Sequence, residues 1–375
     1  RGGPAAATAD FFEDNFTPEL LAEETAVERA ERLAAKLERF GEIQLQGVQK
    51  TAAFGATIMA GAGATGTQIE IRYALEEEEP HRITFFEISE AGEAIEPMSV
   101  EAMVAAAGKH LEALTDDNAS AGVALIARGK EIVFERAFGL ANRRFGAPNK
   151  LDTPFNLGSI NKIFTKMAIA QLAATGELSL DDTVAKHLPD YPNPEVAGRI
   201  TIAQVVNHTA GLGDIFTDAF AETAKERFRS PSDYFELFAN DDLLFEPGEG
   251  RQYSNGGYMV LGAIIEAVSG QSYHDYVRAK IFEPAGMTST APYSLDDPVT
   301  PIATGYTRLQ DHEAGPLREN SHMIPFTGTS AGGGYSTARD LLAFRHAFFD
   351  HTLLDPRHTA WMVTDELPDE APPAE

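Results

Sequence analysis

From Ser159 to Thr175 apolar residues recur at the three- and four-residue spacing of a helix, through Ile160, Ile163, Phe164, Met167 and Ala170, and Gly176 follows as a stop. A helix this apolar needs cover from other elements. The 375-residue chain is long enough to supply it and fits two domains. In the first turn, three residues after Ser159, stands Lys162. Residues three apart on a helix share a face. A lysine whose charge is opposed by burial can take a serine's proton, and the alkoxide can then attack a carbonyl.

Ahead of this helix the pattern changes twice. Residues 1–10 are small and polar and read as a frayed terminus. Residues 11–40 read as helical. Residues 44–49, 52–60, 68–75 and 82–88 read as strands, with alternation clearest in Ile69, Ile71 and Tyr73. The acidic run Glu76–Glu79 before Pro80 reads as a turn. Helices followed by an antiparallel meander imply a small α+β domain over residues 1–98. A second domain, residues 99–375, starts with a helix over 99–115. A hairpin follows, with strands 122–127 and 131–138 turned at Arg128-Gly129-Lys130. Beyond the apolar helix, further helices are expected over 201–206 behind a threonine cap, over 258–268 before Gly270, and over 338–349. Residues 211–250 read as irregular, aromatic-rich and substrate-facing. The tail from Pro368 reads as unstructured.

The apolar fraction is 43% and the charged fraction 23%, as in ordinary soluble proteins. Lysine plus arginine number 30 against 57 aspartates and glutamates, a formal charge of −27. That charge opposes binding to phosphate backbones, so no nucleic acid partner is expected. No run of eighteen apolar residues exists, so no membrane span is expected. The chain holds no cysteine, which excludes disulfides, thiolate catalysis and iron–sulfur ligation. It begins at Arg1 with no basic-then-apolar segment. A trimmed terminus, and a periplasmic or secreted protein whose signal is removed, is the expectation.

Alone, Ser-x-x-Lys also fits a helix cap followed by a surface lysine. The context shifts the reading. Ser159 follows Gly158 and opens an apolar helix, where free backbone N–H groups and the positive helix end favour a developing anion. Tyr253-Ser254-Asn255 stands at the start of another apolar stretch. A tyrosine beside a lysine can relay protons, and Asn255 can hold Lys162 or a substrate amide. The bland reading makes Ser254 a cap and packs Tyr253 into the core. His208 invites comparison with a Ser-His triad, but it ends a helix before a glycine turn and reads as structural. The other nine histidines show neither H-E-x-x-H nor H-x-H, so no metal site is expected. Gly61-Ala62-Gly63-Ala64-Thr65-Gly66 matches G-x-G-x-x-G, but a strand follows where a dinucleotide site needs a helix, so it reads as a hairpin loop. Gly332-Gly333-Gly334 could form an anion-binding nest.

Ser159-x-x-Lys162 followed by Tyr253-x-Asn255 resembles the penicillin-recognising serine hydrolases, in the branch of class C β-lactamases, D-aminopeptidases, DD-peptidases and family VIII-type, β-lactamase-fold esterases. Supporting stretches are Phe155-Asn156-Leu157-Gly158, Asn207-His208-Thr209-Ala210-Gly211-Leu212, Phe245-Glu246-Pro247-Gly248, Ser330-Ala331-Gly332-Gly333 and Ser336-Thr337-Ala338-Arg339-Asp340-Leu341. The resemblance covers roughly residues 99–365. It implies a β-lactamase-like domain, an antiparallel sheet flanked by helices, acting on a small-molecule or peptide ester or amide without cofactor. It also implies that Ser159 is acylated, that Lys162 and Tyr253 share the proton transfers, and that Asn255 orients the lysine or the substrate. For Gly332-Gly333-Gly334 it implies a turn beside the pocket instead of an anion nest.

The family's third motif, Lys/His-x-Gly on the strand lining the site, is not found. His358-Thr359-Ala360 comes nearest but lacks the glycine and sits in a stretch, 353–363, that reads as helix. The expectation is that C-terminal strands are missing and that a second polypeptide, the remainder of the same protein, completes the site. The competing reading is a catalytically silent, penicillin-binding-like scaffold or partner-binding protein. The N-terminal domain resembles small cone-shaped α+β domains of the NTF2 or cystatin kind, which implies docking or a homo-oligomer.

Overall fold

A computed structural model describes residues 4–40, 43–52, 55–62, 68–76, 80–90, 98–116, 120–297, 302–307 and 316–364. The chain divides into two compact units, Arg1–Ser99 and Val100–Glu375.

In the first unit the helical stretch is three helices rather than one: α1 (Pro4–Asn15), α2 (Pro18–Glu23) and α3 (Ala26–Phe40). Pro18 has no N–H to continue a helix and sits at the start of α2, while Thr17 caps it by accepting from the Leu20 N–H. The backbone of Thr17 turns aside to donate to the Ile83 carbonyl. The second break is a reciprocal cap, in which the Glu28 carboxylate accepts from the Thr25 N–H and the Thr25 hydroxyl accepts from the Glu28 N–H. The expected frayed terminus is corrected for residues 4–10, residues 1–3 lying outside the described residues. Helix α1 begins at Pro4, whose fixed φ suits a first helical position, and alanines follow.

Four antiparallel strands follow in sequential order: β1 (Ile43–Ala52), β2 (Gly55–Ala62), β3 (Gln68–Leu75) and β4 (Ile83–Glu90). Gly61 and Ala62 close β2, and residues 63–67 of the glycine-rich loop lie outside the described residues, as do residues 77–79 of the acidic turn. Ile69 in β3 is fully buried with Ala60 and Ile88, and Phe12, Phe16, Ala26 and Ala30 form a second cluster, bridged to the first by Leu33 and Phe86.

The second unit opens with α4 (Val100–Asp116) and the hairpin β5 (Gly122–Arg128) and β6 (Glu131–Phe138). Its centre is α5 (Lys162–Ala174), in which Phe164, Met167, Ala168, Ile169 and Ala170 have no exposure. The helix Asn255–Ser269 packs against it and buries Met259, Val260, Leu261, Ile264 and Ile265 completely. Phe164 meets Phe282 and Phe344 edge-on at 5.0 and 5.1 Å, a favoured aromatic geometry.

Two expected apolar positions of the central helix differ. Ile160 and Ile163 are 57% and 39% exposed. The first turn, Gly158–Asn161, is a 3₁₀ helix that carries Ile160 outward, and Ile163 follows in the first turn of α5 on the same solvent side. The 211–250 segment also differs from the irregular, substrate-facing reading. It contains helical turns at Asp218–Glu222, Lys225–Arg227 and Pro231–Leu237. Phe220, Phe228 and Tyr234 stack with one another in the core rather than facing a substrate.

Gly262 shows how tightly helix Asn255–Ser269 is seated. A Cβ there would lie 2.4 Å from the Ser330 hydroxyl and 2.8 Å from a Pro231 ring carbon. Gly262→Ala should therefore destabilise the protein by about 1–3 kcal/mol despite alanine's better helix propensity. Urea denaturation of the two proteins measures this.

Candidate active site

A pair of short strands sets the base of the site. Phe155–Asn156 pairs with Tyr335–Ser336, the Leu157 N–H donates to the Gly334 carbonyl at 2.8 Å, and the Gly333 N–H donates to the Gly158 carbonyl at 3.2 Å. Gly158 leaves this pair with φ of 51°, a conformation glycine adopts freely, and the chain winds into the 3₁₀ turn carrying Ser159. Ser159 is exposed.

Lys162 is the first residue of α5 and is only 7% exposed. Its Nζ donates to Asn255 Oδ1 at 2.7 Å, to the Ala331 carbonyl, and to Ser159 Oγ at 3.3 Å. It also lies 4.7 and 5.2 Å from the ring centres of Tyr253 and Tyr258, within cation–π range. The Tyr253 hydroxyl donates to Ser159 Oγ at 2.6 Å. Ser254 caps helix Asn255–Ser269 by accepting from the Gly257 N–H, which aims Asn255 at Lys162. Ser159, Lys162, Tyr253 and Asn255 thus come together. Tyr253 is 46% exposed, so it is not a packed core residue.

Burial lowers the pKa of Lys162, opposed by the Tyr253 hydrogen bond and by the charges of Tyr253 and Asp214. An amine in this position suits proton exchange in either state. Neutral, it donates its two N–H bonds to Asn255 Oδ1 and the Ala331 carbonyl and turns its lone pair to Ser159. Protonated, it donates a third bond to Ser159 Oγ.

His208 is not a triad member. Its Nδ1 accepts from the Ser254 N–H at 3.2 Å, and its ring stacks on Tyr253 and Tyr258 at 4.6 and 5.2 Å. Burial, then the charges of Lys162 and Arg251, lower its pKa to about 4. The neutral ring buttresses Tyr253 and the start of the Asn255 helix.

Two contributors were not among the sequence expectations. Asp214 accepts from the Asn255 backbone N–H at 3.0 Å and from Asn255 Nδ2 at 2.9 and 3.2 Å. Ala331 offers a backbone carbonyl, which no side-chain pattern can announce. Gly328-Thr329-Ser330-Ala331-Gly332 matches G-x-S-x-G, the signature of another class of serine nucleophile. Here Ser330 has no exposure and its hydroxyl points at the Met259 sulfur, so it is no nucleophile. His358 has its Nδ1 hydrogen-bonded with Asp355 at the start of helix Pro356–Thr364. Among the described residues, no group of three or more His, Asp or Glu side chains could hold a metal ion, and no helix is long and apolar enough to cross a membrane.

In front of Ser159 lies a mostly apolar cavity of about 110 Å³, bounded by Ile215, Phe216, Ile324, Pro325 and Gly332. Phe216, 55% exposed, is the aromatic residue of the 211–250 segment that does face the site.

Comparison with known proteins gives this geometry a context. The family model described as Beta-lactamase matches residues 107–371. The chain is 33% identical over 255 residues to Penicillin-binding protein 4* of Bacillus subtilis, covering 64% of this chain and 56% of that one. It is 36% identical over 191 residues to esterase EstB of Burkholderia gladioli, covering 47% and 48%. The chain therefore spans about half the length of these curated relatives. Among solved structures, a penicillin-binding protein from Bacillus halodurans superposes with a TM-score of 0.62 at 33% identity, covering 70% of this chain and 79% of that one.

The His208 environment has a consequence in solution. Its folded pKa of about 4 lies below the 6.5 of an unperturbed histidine, so between these values the unfolded chain binds more protons. Stability contributed by the neutral ring should be complete above pH 6.5 and fall as pH drops towards 4. His208→Asn keeps a residue tolerant of the positive φ of 63° and removes the titration. Denaturation midpoints between pH 4 and 7 should fall less steeply for this variant than for the wild type.

Proposed function

The chain belongs to the Beta-lactamase family, and on that premise we propose that it is a serine hydrolase forming an acyl-enzyme at Ser159. The observation that carries the reading is the position of Ser159, an exposed residue whose Oγ lies 2.6 Å from the Tyr253 hydroxyl and 3.3 Å from Lys162 Nζ.

In the first half of the reaction, neutral Lys162 takes the Ser159 proton as Oγ attacks the substrate carbonyl. The lysine is suited to this because burial lowers its pKa, and Asn255 and Ala331 hold it in place. The developing oxyanion forms beside the Ser159 N–H, since the flanking Gly158 and Ile160 N–H groups already donate to Asn156 Oδ1 and the Leu157 carbonyl. Tyr253, bonded to Oγ, gives its proton to the leaving group and is reprotonated by the Lys162 ammonium, and the C–O or C–N bond breaks. Water then attacks the acyl-enzyme, giving its proton back through the same pair and releasing Ser159.

The substrate class is an ester or amide with a small apolar acyl group, as the cavity bounded by Ile215, Phe216, Ile324 and Pro325 implies. The relatives named penicillin-binding protein and esterase support the same class of chemistry.

A fluorophosphonate probe should add one adduct to the wild type by intact mass and none to Ser159→Ala. Tyr253→Phe should lower kcat/KM on p-nitrophenyl esters by roughly 10²–10⁴-fold. A wild-type protein that neither takes the probe nor hydrolyses p-nitrophenyl esters, D-amino-acid amides or nitrocefin would remove the hydrolase reading in favour of a silent scaffold.

A further inference from the structure

The amide of Asn255 is symmetric in shape but not in chemistry. One end accepts hydrogen bonds and the other donates them. Lys162 can hold its position only against the accepting end, because the donating end would point N–H bonds at an amine. Nothing in Lys162 itself enforces that choice when it is neutral.

Asp214 does enforce it. Its Oδ2 takes both the Asn255 backbone N–H at 3.0 Å and Nδ2 at 2.9 Å, and its Oδ1 lies 3.2 Å from Nδ2. A carboxylate accepts and does not donate, so only the Nδ2 end of the amide can face it. The Oδ1 end is then committed to Lys162 at 2.7 Å. Asp214 reaches this place from the loop after Gly211, whose φ of 78° and close approach to the Phe245 carbonyl leave no room for a side chain. The same loop offers the Gly213 carbonyl to the Ser254 hydroxyl at 2.6 Å, so loop and helix start are joined at two consecutive residues, Ser254 and Asn255, while His208 accepts from the Ser254 N–H and packs on the Tyr253 ring.

We propose that Asp214 is the positioning residue of this site, locking the Asn255 amide so that its carbonyl end holds Lys162 against Ser159. The inference deepens the hydrolase reading and rests on it only where turnover is measured. Among the described residues, Asp214 also supplies a carboxylate whose charge acts on Lys162. Tyr253 and Tyr258, beside the Asn255 helix, act on it as well. His208, held neutral by burial, stands behind the two tyrosines, with Arg251 acting on it. From the 328–334 turn, backbone carbonyl faces the amine.

Two substitutions separate the carboxylate's shape from its charge. Asp214→Asn keeps an oxygen able to accept from Asn255 and removes the negative charge. Asp214→Ala removes both. The first readout needs no catalysis: the full chain is labelled with ¹³C,¹⁵N-lysine, the Lys162 signal is assigned with Lys162→Arg, and its pH titration is followed by NMR. With the negative charge gone, the ammonium loses a stabilising partner, so Lys162 should titrate at lower pH in Asp214→Asn than in the wild type, and Asp214→Glu should restore the wild-type direction. The second readout is turnover. The acid limb of kcat/KM should move to lower pH in Asp214→Asn, and kcat should fall roughly 10²-fold in Asp214→Ala with KM little changed, as expected for a misplaced proton acceptor. A folded Asp214→Ala variant in which the Lys162 titration or kcat is that of the wild type would overturn the proposal. Should the wild type take no fluorophosphonate, the hydrolase reading falls while the lysine titration still decides the role of Asp214.

Discussion

A primary amine brought to 7% exposure has to be given hydrogen-bond acceptors by the fold, and Lys162 is given them by segments far away in sequence. Asn255 lies 93 residues on and Ala331 169 residues on. Leaving a buried polar group unpaired costs about 1–3 kcal/mol, more when it is charged. That cost ties α5, the Asn255 helix and the 328–334 turn to one arrangement. Neighbouring side chains of the same region repeat the pattern. Asn161 Nδ2 donates to the Thr329 carbonyl at 2.7 Å and the Thr165 hydroxyl to the Ser330 carbonyl at 2.7 Å. Three consecutive carbonyls of the turn, 329 to 331, are thus held by the beginning of one helix.

The turn can approach that closely because its glycines lack Cβ atoms. One added at Gly332 would lie 2.9 Å from the Gly158 carbonyl, and one at Gly334 would lie 2.4 Å from Asn161 Oδ1. Thr329 accepts from the Ala331 and Gly332 N–H groups at 3.2 and 3.1 Å, so the turn is closed on itself as well as on α5. Ser159 therefore stands exposed on a base whose neighbours on both sides are buried and hydrogen-bonded. Such pre-organisation lets an attacking group be held near its target without reordering the site during the reaction.

Parts of this were legible from residues alone. The 3.6-residue recurrence from Phe164 to Ala170 announces a buried helix, because burial on a cylinder demands that spacing. The alternation of Ile69, Ile71 and Tyr73 announces a strand for the equivalent reason on a pleat. Ser-x-x-Lys and Tyr-x-Asn are short-range patterns, so each could be seen within a single segment. The breaks at Thr17-Pro18 and Thr25-Glu28 carry cap signatures that a reading by periodicity alone passes over. The outward turn of Ile160 goes with a 3₁₀ winding, which the 333–334 backbone holds at Leu157 and Gly158 from far along the chain.

What the sequence by itself determined is which residue types stand at which local spacing. From that follow the central helix, the two-unit organisation as an expectation, the family resemblance, and the serine, lysine, tyrosine and asparagine as a candidate set. Tertiary structure alone decided that Asp214 meets Asn255, that a backbone carbonyl of Ala331 meets Lys162, and that Ser330, although set in a nucleophile-like pattern, is sealed against Met259. The physical reason is range. Helix and strand periodicities and caps act over a few residues and leave a mark on the adjacent sequence. Hydrogen bonds that close a site act between atoms brought within 3 Å by the whole fold, and a backbone carbonyl or a lone carboxylate leaves no such mark.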